Sequence, residues 1–356
     1  MQDSDLWVAL GDLRSLGRMD LERGLRRCGG PLGLLRRLGA LHRRDAARER
    51  IRRAERGGIR ALGRSHPEFP ELLRQIASPP LVLWVRGRLD PAVAVAIVGG
   101  RKASDRGREF AHRLAEVAAS AGVPVVSGLA YGIDAAAHEG ALAGRGLTVA
   151  VLASGVDRPG PAGNRGLARR ILDAGGACVS EHPPGTEARA YHFPGRNRLI
   201  SGLARLALIV EARERSGSLW TARHAADQGR DVAVVPGPVG VGLCRGSNGL
   251  LREGAIPILE PDDLLDALGV RPRVAPAAPR ARSPSPLAER VLEALARGPA
   301  DSDSLARALG WPASQLAEVL IELELDGSVV REGVRVAARP ALSARSSRPP
   351  GDLPLP

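Results

Sequence analysis

Lysine is nearly missing from this chain: Lys102 stands alone, and arginine supplies the other 50 of its 51 cations. No GxxxxGK[ST] loop surrounds that lysine, which excludes nucleotide hydrolysis of the P-loop type. Cysteine is scarce too. Cys28, Cys178 and Cys244 are far apart, form no CxxC, and have no histidine pair at ligand spacing. Neither a disulfide framework nor a zinc site is expected, and no other metal or cofactor. No apolar run reaches about 18 residues, so no membrane span is expected. The first twenty residues begin acidic and lack an apolar h-region, so a secretory signal is not expected either and the working location is cytoplasmic. Aromatics number only nine, three Phe, four Trp and two Tyr. That is too few for a multi-base stacking platform, so arginine and backbone amides should dominate any grip on a nucleic-acid strand.

What is abundant is unevenly placed. The net charge of +12 concentrates in residues 1–64, where 16 arginines face 8 acids, and in residues 270–286, with four arginines and no acid. A basic surface of this kind attracts polyanions, nucleic acid first among them. The 356 residues suggest two or three domains at roughly 150 each. Residues 1–64 read as short helices, LERGLRRCGGPLGLLRRLGA and DAARERIRRAERGG, turning at Gly29-Gly30-Pro31 and Gly57-Gly58. Two readings stay open for them: a small bundle touching DNA backbones, or a packing domain with a solvated arginine face.

Residues 65–269 change pattern. The apolar runs AVAVAIVGG, VPVVSG, LTVAVLASG, ACVSE, RLALIVEA and DVAVVPG alternate with the amphipathic stretches SDRGREFAHRLAEVAASAG, YGIDAAAHEGALAG, NRGLARRILDAGG, RNRLISGLA and SGSLWTARHAADQG. This alternation predicts an α/β fold with a doubly wound, Rossmann-like parallel sheet. Residues 270–286 read as a Pro/Arg-rich linker. Residues 287–337 read as three helices and two short strands around Asp326-Gly327, a winged-helix-like domain, and 338–356 as a disordered tail. That terminal domain is acidic, and SQLAEVLIELELDG holds no cation. A DNA-reading helix is normally basic, so a protein-contact or dimer-supporting role is expected there rather than sequence-specific DNA reading.

In such sheets ligands bind beyond the carboxyl ends of the strands. Those ends hold Gly99-Gly100-Arg101-Lys102, Ser127-Gly128, Ser154-Gly155, Glu181-His182, Glu211 through Ser216-Gly217-Ser218, and Pro236-Gly237. Small residues, hydroxyls and guanidinium groups of this kind suit anions. The first turn, GGRKASDRG, is not GxGxxG, and the second strand ends in Ser127 rather than an acid, which disfavours a dinucleotide. Asp134 and His138 read as a helix-start acid and a surface or packed histidine. No GxSxG elbow occurs, and nothing fixes a partner beside Glu181 or Glu211, so catalysis is not expected. Phe193, flanked by Pro194 and Gly195 and followed by Arg196 and Arg198, reads as an exposed loop able to stack a base while the arginines hold phosphates; the alternative is a core Phe with the arginines paired to Glu181 or Glu211.

Taken in order, AIVGGRKASDRGREFAHRLA, VVSGLAYGIDAAAHEGAL, HFPGRNRLISGLA, VEARERSGSLWTARHAADQGRDVAVVPG and RGSNGLLREGA resemble the DNA-processing protein A family (DprA, also called Smf) over about 65–268. The helical N-terminus (SAM/HhH-like) and the winged-helix-like C-terminus agree with that family in type. The resemblance implies a non-enzymatic, homodimeric protein of natural transformation (competence) and recombination. It would bind single-stranded DNA, protect it, and assist loading of the RecA recombinase. It also implies a phosphate role for Arg101 in the family's Gly-Ser/Thr-Arg turn, whose hydroxyl is lost at Gly100, leaving a backbone N–H to replace it. The His192-Phe193-Pro194 segment with Arg196, Asn197 and Arg198, and the amides of Ser216, Gly217 and Ser218 as an anion nest, follow from the same resemblance. Tyr131 stands where the family has Arg, and Arg158 through Asn164 replace the usual Tyr-Pro-Pro-Glu-Asn. The expected DNA-binding set is Gly99, Gly100, Arg101, Lys102, Ser127, Gly128, Phe193, Arg196, Asn197, Arg198, Ser216, Gly217 and Ser218. The alternative is a Rossmann-like nucleotide phosphoribohydrolase using the same pocket, although the PGGxGTxxE glycines and glutamate are missing at Ser216-Gly217-Ser218-Leu219. A transcription regulator built on the terminal domain is disfavoured by that domain's acidity.

Overall fold

The computed structural model describes residues 3–13, 18–89, 93–270, 286–296, 298, 300–325, 328–332 and 335–338. Apart from residues 270, 286 and 338, the expected linker and tail lie outside them, as does the Asp326-Gly327 turn. Two compact units, residues 1–273 and 274–356, divide the chain.

The first unit opens with helices α1 (Ser4–Gly11), α2 (Arg18–Arg27), α3 (Pro31–Arg37) and α4 (Arg43–Arg56). At eight residues α1 is too short to hold itself together in water. Its Leu6, Trp7, Val8 and Leu10 are buried in one core with Ile51 and Ala54 of α4 and with Val82, Trp84, Leu152 and Ile171 from the sheet side. Burial of such side chains contributes about 1.5–3 kcal/mol each. The segment expected to be helical throughout, 1–64, ends instead in strand β1 (Ile59–Gly63), which pairs antiparallel with β2 (Val82–Gly87). Gly58, at φ 70°, ends the helical run. Beyond it Ile59, Ala61 and Leu62 are buried, while Arg60 turns out to pair with Glu68.

After the short helix α5 (Glu71–Arg74) the doubly wound region runs β3 (Val95–Val98), α6 (Asp105–Ser120), β4 (Val125–Ser127), α7 (Ile133–Ala143), β5 (Thr148–Val151), α8 (Arg165–Asp173), β6 (Ala177–Ser180), α9 (His192–Gly202), β7 (Leu206–Ile209), α10 (Ser218–Asp227), β8 (Asp231–Val234), α11 (Arg245–Arg252), β9 (Ile256–Pro257) and α12 (Pro261–Ala267). The nine strands follow the order β1-β2-β6-β5-β4-β3-β7-β8-β9. β3 to β9 are mutually parallel, and β2 joins β6 antiparallel, so β1 and β2 cover one edge. β3, β4, β5, β6 and β7 are buried at every residue, which is why they read as unbroken apolar runs. The strand order reverses between β3 and β7, so the crevice for a ligand opens at the ends of these two.

The second unit comprises α13 (Pro286–Leu295), β10 (Ala300–Asp301), α14 (Ser302–Leu309), α15 (Ala313–Leu325), β11 (Val329–Glu332) and β12 (Arg335–Ala338). Its antiparallel sheet runs β10-β12-β11. Val291, Leu295, Leu305, Leu316, Leu320 and Val336 form its core. The Asp301 carboxylate caps α14 by accepting from the Ser304 amide at 2.8 Å. A short strand β10 is present besides the two strands expected.

Inside the first unit His138 of α7 is fully buried, its Nδ1 2.7 Å from Thr148 Oγ1. That hydroxyl already donates its proton to the Val125 carbonyl at 2.8 Å, so Nδ1 is the donor to it. Nε2 is then the bare nitrogen, and it has no partner. Protonating it would place an unpaired N–H in the core, and burial, with Arg196 as a lesser cause, pushes its pKa from 6.5 down to about 3. The unfolded chain takes up this proton near 6.5 and the folded chain does not until about 3, so the contribution is whole above 6.5 and lost as the pH falls. The loss should approach about 1.4 kcal/mol per pH unit within that window. Urea unfolding at pH 7, 6 and 5 checks this: His138→Asn, which keeps a donor and cannot titrate, should fall less steeply than the natural chain, and equal slopes would refute the assignment.

Candidate nucleic-acid interface

Three strand ends meet a helix start at the crevice. After β3, the Gly100 amide donates to the Glu211 carbonyl beyond β7 at 2.6 Å, and the Gly100 carbonyl accepts from the Ile133 amide of α7 at 3.3 Å. Gly132 takes φ 81°, where a side chain would also run into the Gly100 carbonyl. Arg101 and Lys102 are thereby held outward and exposed.

The opposite wall is the first turns of α9. Arg196 is 4% exposed and lies in the middle of the crevice floor. Its Nη1 donates to the Gly128 carbonyl at 2.6 Å and to the Val151 carbonyl, the ends of β4 and β5. Its Nε donates to Asn197 Oδ1 at 3.2 Å, and Asn197 Nδ2 donates to the Gly217 carbonyl at 2.9 Å. The buried Asp134 lines the same cleft without a direct ion pair to Arg196; its charge favours the guanidinium, and its carboxylate accepts from the Ala130 amide at 3.4 Å. Burial raises the Asp134 pKa, opposed by Arg196 and by backbone amides, and burial lowers that of Arg196 to about 10. Arg196 therefore stays charged at neutral pH.

One turn earlier, Phe193 is half-buried, with the Arg101 guanidinium 5.0 Å and the Arg196 guanidinium 5.8 Å from its ring centroid. A cleft of about 470 Å³ opens here, its wall including Gly99, Arg101, Asp134, Phe193, Arg196, Asn197, Ser216, Gly217, Ser218 and Trp220. A smaller groove of about 280 Å³ shares Arg101 and Ser216 with it and adds Gly100, Lys102, Arg213 and Arg215. The Ser216 and Ser218 hydroxyls are 2.8 Å apart.

The acids nearby are engaged. The Glu211 carboxylate accepts from the Ser104 amide at 2.8 Å and from the Ser104 hydroxyl at 2.5 Å. Ser104 in turn caps α6 by accepting from the Gly107 amide at 3.0 Å. Glu181 is gripped by both terminal nitrogens of Arg198, at 2.6 and 3.2 Å. His182 stacks on His192 with centroids 4.0 Å apart.

This crevice lies within a segment, residues 60–269, that matches the family described as DNA recombination-mediator protein A, and residues 275–333 match the DprA winged helix domain. The chain belongs to the DNA recombination-mediator protein A family. It is 39% identical to Protein Smf of Escherichia coli K12 over 268 residues, 73% of this chain and 72% of that one. It is 37% identical to the putative DNA processing protein DprA of Mycobacterium tuberculosis H37Rv over 364 residues, 94% and 93% of the two chains. The solved structure of DNA processing protein A from Streptococcus pneumoniae aligns with a TM-score of 0.59 at 30% identity, covering 74% of this chain and 93% of that one. A structure of the Helicobacter pylori protein, which describes its single-stranded DNA binding mode, aligns at 0.54 and 27% identity, covering 59% and 95%.

The residues expected from the family motifs divide by burial. Gly99, Arg101, Phe193, Arg196, Asn197, Ser216, Gly217 and Ser218 come together around the larger cleft; Gly100 and Lys102 line the smaller groove. Ser127 does not reach either: its hydroxyl is fully buried and donates to the Ile97 carbonyl at 2.6 Å. Gly128 serves as an acceptor for Arg196, and its missing Cβ leaves room for that guanidinium. Arg198 is spent on Glu181. The Gly100 amide cannot replace the family hydroxyl, because it is already a donor to Glu211. Nor is the Ser216-Gly217-Ser218 turn an open nest of amides. The Ser216 and Ser218 amides point to the Arg213 carbonyl and Ser216 Oγ, so the turn offers its hydroxyls and the exposed Gly217. Phe193 belongs to the first turn of α9, not to a loop, although Pro194 suggested one; proline is tolerated there because first-turn amides have no intrahelical acceptor. Tyr131 is exposed with its hydroxyl over Gly163, away from the cleft walls. Trp220 was not expected in the cleft, and the hold of Arg196 on the Gly128 and Val151 carbonyls has no signal in sequence spacing.

Replacing Arg196 with Met should leave the buried Gly128 and Val151 carbonyls without their side-chain donor and cost about 1–3 kcal/mol. The midpoint and slope of urea unfolding measure it, and an unchanged stability would show that these bonds do not hold the crevice together.

Proposed function

We propose that this chain is a non-catalytic single-stranded DNA-binding protein of DNA uptake and recombination. The observation that carries this reading is the Phe193 ring at the point of strand reversal, with exposed Arg101 over it and buried Arg196 beneath the crevice. An exposed cation–π contact is worth only about 0.5–1 kcal/mol. Arg101 can therefore leave the ring for a phosphate while an unstacked base takes its place on Phe193. Duplex bases are not free to do this, which makes the cleft selective for single strands. Lys102, Arg213 and Arg215 extend the phosphate path along the smaller groove.

The similarity to the Helicobacter pylori protein, described for its single-stranded DNA binding mode, supports the reading. So does the similarity to DNA processing proteins DprA of Bacillus subtilis and Streptococcus pneumoniae. A hydrolase would need a free carboxylate or nucleophile at the reacting bond, whereas Glu211 is committed to Ser104 and Glu181 to Arg198. From family membership the fuller proposal is a cytoplasmic homodimer that shields an incoming strand and helps to load RecA recombinase on it.

Fluorescence anisotropy of labelled oligo-dT against the matching duplex, across a salt series, tests the proposal. Tight, salt-dependent preference for the single strand is expected; no preference would overturn it. Arg101→Ala should weaken binding and make the log–log salt slope shallower by about 0.7, the share of one single-strand phosphate. Unchanged affinity and slope would remove Arg101 from the interface.

A further inference from the structure

We infer that Trp220 is a second base-stacking position in the cleft, and that its free ring face receives one unpaired base of the bound strand. The inference rests on the single-stranded DNA reading above and goes beyond it in assigning a nucleobase contact to a residue outside the expected DNA-binding set.

The argument begins with exposure. Trp7 and Trp84 are 6% and 2% exposed, as indoles in a folded chain usually are, yet Trp220 is 49% exposed. Helix α10 explains how. Its Thr221, Ala222 and Ala225 are buried, with Ala222 and Ala225 in the core beside β7 and β8. Trp220 falls off that face and onto the wall of the 470 Å³ cleft, which it shares with Phe193, Arg101 and Ser218. Its backbone is held in the first turn of the helix, where the Trp220 amide donates to the Gly217 carbonyl at 3.3 Å.

One face of the ring is already occupied. The Arg223 guanidinium, three residues on, lies 5.2 Å from the ring centroid. Residues at this spacing are neighbours on a helix surface, and Arg223 has no acidic partner among the described residues. An arginine stacked on one face and an open second face form a platform suited to any nucleobase, since every base presents a π-face. The guanidinium adds a charge for the adjoining phosphate. Ser218, Trp220 and Arg223 span about a turn and a half of α10, and the first two line the cleft together. A strand seated on Phe193 and Arg101 then meets a second aromatic in the lining of the same cleft. The chain's shortage of aromatics makes this placement more telling, because two of nine line one cleft.

The test uses the full chain with two probes of equal length, oligo-dT and an oligomer of abasic sites. The natural chain should bind oligo-dT with partial quenching of tryptophan emission. Trp220→Phe should keep affinity within about threefold, because the smaller ring still stacks, and should lose most of the quenching. Trp220→Ala should weaken oligo-dT binding by about 5- to 100-fold and leave the abasic oligomer nearly unaffected. If Trp220→Ala binds oligo-dT like the natural chain, or if quenching survives in Trp220→Phe, the stacking role is refuted while the single-strand reading stands. Equal losses for both probes would assign Trp220 to packing and also refute it. Loss of self-association with unchanged DNA binding would place the ring between copies of the chain instead. Failure of the natural chain to bind oligo-dT at all would overturn both readings together.

Discussion

A guanidinium group taken out of water at the centre of a sheet is the constraint on which this crevice is built. Arg196 is tolerated there because the carbonyls of Gly128 and Val151 accept from it and the charge of nearby Asp134 favours it. Removing water makes these hydrogen bonds obligatory rather than optional. Through them the ends of β4 and β5 and the first turns of α9 are fixed to one another. Through Asn197 the same hub reaches the turn before α10. Phe193, three residues before Arg196, inherits its position from this arrangement.

The arginines of the crevice thus fall into two populations with different physical tasks. Arg196 and Arg198 are buried, the first bound to backbone carbonyls and the second paired with Glu181, and they shape the walls. Arg101, Arg213 and Arg215 are exposed, as the proposed phosphate contacts require. Since the guanidinium stays charged under either condition, one residue type fills both tasks, which suits a chain with a single lysine.

The doubly wound sheet was legible because its strands are buried on both faces and read as unbroken apolar runs between amphipathic helices. β1 was not, because Ile59 to Gly63 is short, carries Arg60, and takes its pairing from β2, more than twenty residues away. The arginines on α9 were visible as residues but not as roles: Arg196 and Arg198 are spelled like DNA contacts, and only burial separates them from Arg101. The alternative of arginines paired with Glu181 describes Arg198 and fails for Arg196, whose acceptors are the carbonyls of Gly128 and Val151, remote in sequence. Trp220 was hidden inside an otherwise ordinary helical pattern, since periodicity tells which residues leave the core but not what lies beyond them.

The Glu211 carboxylate has a consequence for where a guest anion can go. Two helices, α6 and α10, begin beside the point of strand reversal, and a helix start is a natural seat for negative charge. At α6 that seat is taken by Glu211, whose oxygens hold the Ser104 amide and hydroxyl, while Gly107 gives the carboxylate space. The protein carries a resident anion at one of the two seats. At α10 the first amides are engaged too, by oxygens of Ser216 and Gly217, but no carboxylate sits there, so the proposed strand would be turned away from α6 and toward the hydroxyls and indole of α10.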